Sequence, residues 1–303
     1  MKTLYQQQSS NVRKTWALVF VFALVVIALG WFISYYYGNP NILYFAVLFA
    51  VFMNIGSYWF SHKIVVGMSG AKEADTIQHR DIHNLLENLA ISQGMQKPKL
   101  YIIQDSVPNA FATGRNQKNS VVAVTTGLLQ ILDKNELEGV LAHELSHIKN
   151  KDMLISTMVV VLVGFVVILS DMFLRGMIFG GRGDGDRDNK LGGILMIVGI
   201  VLMILSPIIA QLVHFAVSRK REFVADATGA LMTRYPEGLA GALQKIEEYS
   251  KTRGGEMKRA NHAMAHLYIS NPFGAKAKKG WSKMWSTHPA TEDRVEALLG
   301  GQL

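Results

Sequence analysis

Three side chains within five positions, His143, Glu144 and His147, form the pattern His-Glu-x-x-His in VLAHELSHIKNKD. On a helix, residues four apart share one face, so the two imidazoles can offer nitrogens to a single metal ion. Glu144 then sits beside the open coordination position. There a carboxylate can take a proton from an attacking water and pass it to a leaving amine. The chemistry implied is metal-assisted hydrolysis of a peptide bond, with one tetrahedral zinc ion (Zn2+) per chain. Such a site needs a third protein ligand. A histidine six residues after His147 is excluded, because Met153 stands there. The best other source is SRKREFVADATGA, residues 218–230, where Glu222 and Asp226 are four apart. Glu222 is the candidate ligand, and Asp226 the candidate hydrogen-bond partner of a ligating imidazole. Taken alone, this stretch fits an exposed charged helix better.

The elements that must position these residues alternate with long apolar runs. Four runs, 16–33, 42–60, 153–170 and 191–210, approach the ~20 residues needed to cross a bilayer. The first is too long for a signal peptide and no small-residue cleavage site follows it. Tyr35, Tyr36 and Tyr37 follow instead, then the tight turn GNPN, so runs one and two read as a hairpin. The remainder reads as soluble. DTIQHRDIHNLLENLAISQG predicts an amphipathic helix with Ile77, Ile82, Leu85, Leu86, Leu89 and Ile91 on its apolar face. KLYIIQ, NAFATG and SVVAVTTGLL predict strands. Asp133 and Glu136 have capping-box spacing at the start of the helix that carries the metal motif.

Half of the 303 residues are hydrophobic and 18% are charged, which excludes a disordered chain and fits a membrane protein with a soluble portion. The net charge of +8, beside such apolar runs, points to an anionic lipid surface and away from nucleic acid. The basic loop NPFGAKAKKGWSK, with Trp281 and Trp285, is read the same way. With no cysteine, a metal site must draw on histidine and carboxylate. Lys2, Arg13 and Lys14 beside the first run place the N-terminus in the cytoplasm, and each hairpin returns the chain there. The loop RGMIFGGRGDGDRDNK, with four basic residues, would then lie outside, against the rule.

Taken in order, PNAFATG, HELSH within ELEGVLAHELSHIKNKD, SRKREFVADATGA and THPATEDRV resemble the HtpX family of membrane zinc metalloproteases over nearly the whole chain. The resemblance implies an α+β membrane protein, mainly helical, with four transmembrane helices and a zincin-type catalytic domain carrying a small β-sheet. Its expected divisions are a membrane hairpin at 1–60, a catalytic segment with the His-Glu-x-x-His helix at 61–152, a second membrane hairpin at 153–213 and a further catalytic segment with the third ligand at 214–303. The resemblance makes His143, His147 and Glu222 the zinc ligands and Glu144 catalytic. It implies a multi-pass protein of the bacterial inner membrane with its site facing the cytoplasm. Its partners would be damaged membrane proteins, unfolded polypeptides, the lipid bilayer and other quality-control proteases.

Further roles are open at the edges of this site. His288 in THPATEDRV is a candidate donor to the oxyanion of the tetrahedral intermediate, or a packing residue at the last helix. Asn109, Ala110 and Phe111 form a candidate edge strand for an extended peptide substrate. His262 and His266, four apart but without an acid between them, are expected to be structural. Two other functions share some of the pattern: prenyl-protein processing, which calls for more spans, and a non-catalytic zinc-binding scaffold, which has no use for Glu144. The motif lies so close to the third apolar run that a zinc at His147 would sit only ~10 Å above the start of that run. A site at the headgroups, open to substrates from the membrane, is the expectation.

Overall fold

The computed structural model describes residues 4–165, 219–274 and 288–300. Two long helices open it, α1 (Leu4–Tyr37) and α2 (Asn41–Ser69). The stretches Gln8–Tyr35 and Asn41–Ser69 are each long and apolar enough to cross a membrane. Only 28% and 17% of their most apolar windows are buried within the protein. Phe20, Phe45 and Phe52 project outward, as do Leu24, Leu48 and Ile55. An apolar belt of this extent is suited to lipid, since water-facing proteins rarely expose one. Trp16 stacks on Tyr58 at one margin of the belt, and Tyr35 and Tyr44 stand exposed at the other. From Trp16 to Tyr35 a helix rises roughly 29 Å, which matches a hydrocarbon core of about 30 Å. Residues 4–15 of α1 and 61–69 of α2 continue beyond the tryptophan margin into the catalytic unit.

That unit is built on a mixed four-stranded sheet in the order β1-β2-β4-β3. The strands are β1 (Lys72–Glu73), β2 (Lys99–Ile103), β3 (Ala110–Gly114) and β4 (Ser120–Thr125). β2 and β4 run parallel, and β3 returns antiparallel along β4 with Phe111 opposite Ala123 and Ala112 opposite Val122. β4, the β-branched run SVVAVT, is buried along its whole length, as an interior strand should be. The three strands expected from the sequence are present, but the third is corrected in length: it ends at Thr125, whose side chain accepts from the Leu128 amide and turns the rest of SVVAVTTGLL into a helix. β1 is too short to carry a periodic signal.

Helix α3 (Arg80–Ser92) covers the sheet with Ile82, Leu85, Leu86 and Leu89. Its two expected outer members are corrected: Ile77 and Ile91 are 86% and 68% exposed. Asp75 Oδ1 accepts hydrogen bonds from the Ile77 and Gln78 amides, so a turn holds 75–79 and the helix starts later. A short helix α4 (Thr126–Ile131) leads to α5 (Lys134–Lys149), which carries the metal motif. The capping box is formed: Asp133 Oδ1 accepts from the Glu136 amide at 3.0 Å, and the Asp133 amide donates to Glu136 Oε2 at 2.8 Å.

Helix α6 (Asp152–Phe165) covers the first stretch of the third apolar run. Its residues 153–163 are almost entirely buried among protein side chains, apart from the half-exposed Ser156. α6 runs beside α1 and α2, sharing a core with Leu18, Phe22 and Val65, and its Phe165 ring lies 5.2 Å from Phe49. At 14 residues, the described stretch is shorter than a span. The fourth run, 191–210, lies outside the described residues.

The unit closes with α7 (Arg219–Thr233) and α8 (Pro236–Thr252), which pack on α5, and α9 (Thr291–Leu299), which packs on α7 and α8. Close approach depends on Gly139, where an added Cβ would lie 2.6 Å from the Leu239 amide nitrogen. Gly139→Ala therefore forces backbone atoms of α5 and α8 apart. It is expected to lower folding stability by about 1–3 kcal/mol, read from chemical denaturation.

Candidate metal and catalytic centre

α5 presents His143 and His147 on one face, and α7 brings Glu222 to meet them. The two Nε2 atoms are 3.2 Å apart, and Glu222 lies 3.8 Å from His143 Nε2 and 3.7 Å from His147 Nε2. Ligand atoms bound tetrahedrally at zinc distances would be separated by roughly 3.3 Å. Among the described residues this is the group of three that could hold a metal ion. Gly229 makes the approach possible, because a Cβ there would lie 3.0 Å from the His143 amide nitrogen.

Each imidazole is held from behind. His143 Nδ1 lies 2.9 Å from Asp226 Oδ1, and His147 Nδ1 lies 3.5 Å from Asp152 Oδ2. Each ring thus turns Nδ1 to a carboxylate and Nε2 to the common point, where a metal ion that displaces the proton would find the lone pair. Asp226 is gripped by Arg294 of α9 through two bonds, Nε to Oδ2 at 2.8 Å and Nη2 to Oδ1 at 2.6 Å. Both partners are 2% exposed. Sequence reading proposed Asp226 but missed Arg294 and Asp152. Arg294 lies inside THPATEDRV, and no helical spacing links it to a histidine. Asp152 lies five residues past His147, off its face in a straight helix.

The electrostatics favour a cation at the meeting point. Burial opposes charge on His147, yet Asp152, Glu222 and Glu144 outweigh it and push its pKa up to about 9. Burial also opposes charge on Glu222, but His288, His147 and His143 hold its carboxyl well below the usual range. The metal-free site thus retains a proton where a cation would sit, and metal binding would release it. Glu144 lies in the same cleft at 2% exposure. Burial raises its pKa to about 7, only partly offset by His147, which suits a group that must both accept and return a proton.

His288 stands beside the candidate ligand Glu222. Its Nδ1 lies 2.5 Å from Glu222 Oε2 and its Nε2 2.6 Å from the Tyr268 carbonyl. Both neighbours accept hydrogen bonds, so each ring nitrogen has a protein partner in this arrangement, one of them the candidate ligand Glu222. The candidate substrate strand is narrowed in the same way. β3 is an edge strand, but the Asn109 side chain bonds the backbone of Ser270 and the Ala110 carbonyl accepts from the Ile269 amide. Phe111 is buried edge-on against Tyr268. Alternation turns the Ala112 backbone to the same open side as Ala110, and Ala112 lines the cleft with His143 and Glu144. His266 also lines the cleft, with Nε2 on the Ser156 carbonyl, while His262 stacks on Phe273. The two rings serve different partners.

A helix-borne His-Glu-x-x-His, a carboxylate from a second helix and two anchor helices beneath them define a membrane metalloprotease. The model of Peptidase family M48 matches residues 76–301. A Protease HtpX homolog of Caldanaerobacter subterraneus is 42% identical over 301 residues, covering 98% of this chain and 97% of the relative. One from Dictyoglomus turgidum is 43% identical, covering 98% and 94%. Among solved structures, S. mikatae Ste24p overlaps 94% of this chain and 67% of its own length, with a TM-score of 0.49 and 16% identity. The chain belongs to peptidase family M48, among its HtpX proteases.

Proposed function

We propose a zinc endopeptidase of the bacterial inner membrane, in which His143, His147 and Glu222 hold the ion and Glu144 carries the proton. The observation that supports this most directly is the convergence of three donor atoms at tetrahedral spacing, with both imidazoles backed by carboxylates. A bound divalent ion would supply Lewis acidity, polarising the scissile carbonyl and acidifying a water. Glu144 removes the water's proton as it attacks the carbonyl carbon. It then delivers that proton to the amide nitrogen, and the C–N bond breaks. The free backbone rung at Ala112 aligns an extended peptide by main-chain hydrogen bonds, which gives little side-chain preference. That suits damaged membrane proteins and unfolded chains as substrates.

The proposed division keeps 1–60 and 153–213 as membrane hairpins and 61–152 and 214–303 as the two catalytic segments. Support for a third span comes from α6, which descends beside α1 and meets Phe49 at belt depth. Arg13 and Lys14, exposed just outside the Trp16 margin, favour a cytoplasmic catalytic face. The test is cleavage of an unfolded model protein by the full chain in detergent. Chelation is expected to abolish cleavage, and stoichiometric zinc to restore it. Cleavage that survives complete chelation defeats the proposal.

A further inference from the structure

The turn between α5 and α6 brings Asp152 back beneath His147. α5 is capped at Asn150, and Lys151 adopts φ 58°, the left-handed conformation that non-glycine residues rarely take. The reversal sets Asp152 at the start of α6, where it is 5% exposed and its Oδ2 faces His147 Nδ1. What holds the other oxygen comes from the far end of the chain. Asn11, on the stretch of α1 above the tryptophan margin, donates from Nδ2 to Asp152 Oδ1 at 2.5 Å and to the Asn150 carbonyl at 3.2 Å. Asn11 is itself 5% exposed. Arg221, next to Glu222, also reaches the same oxygen, at 4.0 Å. One turn earlier on α1, Gln8 donates to the Lys149 carbonyl at 2.7 Å, a bond to the backbone at the end of α5.

The two imidazoles are therefore oriented from opposite ends of the sequence. His143 leans on Asp226 and, through it, on Arg294 near the C-terminus. His147 leans on Asp152 and, through it, on the first membrane helix. We propose that Asn11 is a positioning residue of the metal centre, acting through Asp152 on His147, so that the seating of the first membrane helix sets the affinity for metal. Groups that orient a ligating imidazole typically alter metal affinity 10–100-fold. At 3.5 Å the Asp152–His147 contact is the looser of the two, so its geometry depends most on what fixes the carboxylate. The Asn11 amide supplies a directional donor that a charge alone would not.

The inference rests on His147 being a ligand, and the test separates the two claims. Zn2+ affinity of the full chain in detergent is measured by competition with a chromophoric chelator, and the Co2+-substituted protein is read by its visible absorption. Asn11→Leu is expected to weaken Zn2+ by roughly 10-fold and to shift the cobalt bands, with partial recovery in Asn11→Gln. Gln8→Leu removes a bond to the same helix end and is expected to leave both readouts unchanged. If Asn11→Leu does not fold, the isosteric Asp152→Asn is read in its place, with the same loss expected. Wild-type affinity and spectrum in Asn11→Leu, or an equal loss in Gln8→Leu, overturns the inference. His147→Ala binding Zn2+ as wild type would overturn the ligand assignment beneath it.

Discussion

Glu144→Gln is expected to lower peptide hydrolysis by roughly 10³-fold and to make the metal-free protein more stable. The two effects share one cause. Glu144 is buried beside the donor atoms, and desolvation raises its pKa from 4.5 to about 7. A carboxyl whose folded pKa lies above its unfolded value binds its proton more tightly when folded. Below pH 4.5 both states carry the proton and there is no penalty. Between pH 4.5 and 7 the unfolded state ionises first, so the penalty on folding grows, and above 7 it is complete. Glutamine has the same shape and no proton to lose, so the variant escapes a penalty on the order of a few kcal/mol at neutral pH. Chemical unfolding at several pH values checks this: the curves of variant and wild type should meet near pH 4 and separate toward pH 7. Metal content should stay stoichiometric, because Glu144 is not among the three converging donors. An active Glu144→Gln protein would remove Glu144 from the reaction. An inactive one without metal would place it among the ligands instead.

The features legible in sequence were those written in local spacing. His143 and His147 four apart, Asp133 and Glu136 three apart, the unbroken β-branched run of β4 and the two apolar runs of the first hairpin each declare themselves within one element. Glu222 and Asp226 could be proposed because they too lie four apart, although the same pattern suits a surface helix. What stayed hidden depends on how distant elements meet. Arg294 finds Asp226 across 68 positions, and Asn11 finds Asp152 across 141. Asp152 is a special case, close in sequence but useful only because the chain reverses at Lys151. The third apolar run shows what hydropathy leaves open. Its hydropathy alone suggests lipid on all sides, yet much of α6 spends that apolar surface on α1, α2 and the segment around Tyr268. Hydropathy reports that a side chain leaves water without saying whether lipid or protein receives it. His288 is legible as a residue but its role is not, because one loop histidine can face either the substrate or a ligand.

Arg294→Met is expected to cost about 3–5 kcal/mol of folding stability, the largest effect of any single substitution considered. Methionine fills comparable space but leaves Asp226 as a buried carboxylate with only His143 nearby. In the wild type, burial disfavours charge on Asp226, and Arg294 and His143 more than compensate, so its pKa lies below 3.8. A depressed carboxyl contributes stability that is present above pH 3.8 and is lost as pH falls through the lower folded value. Removing Arg294 removes that contribution, so the gap between variant and wild type should be widest at neutral pH and narrow in acid. The double substitution Arg294→Met with Asp226→Leu separates folding from function. It deletes both charges, and a buried pair replaced by apolar groups often folds as well as the original. Its stability should return to within ~1 kcal/mol of wild type, while Zn2+ affinity falls 10–100-fold because His143 Nδ1 has lost its acceptor. Should the double variant bind metal normally, Asp226 would serve only to neutralise Arg294. Should it regain stability and lose metal, the ion pair exists to aim an imidazole, and the C-terminal helix belongs to the metal centre as much as the helix that carries the histidines.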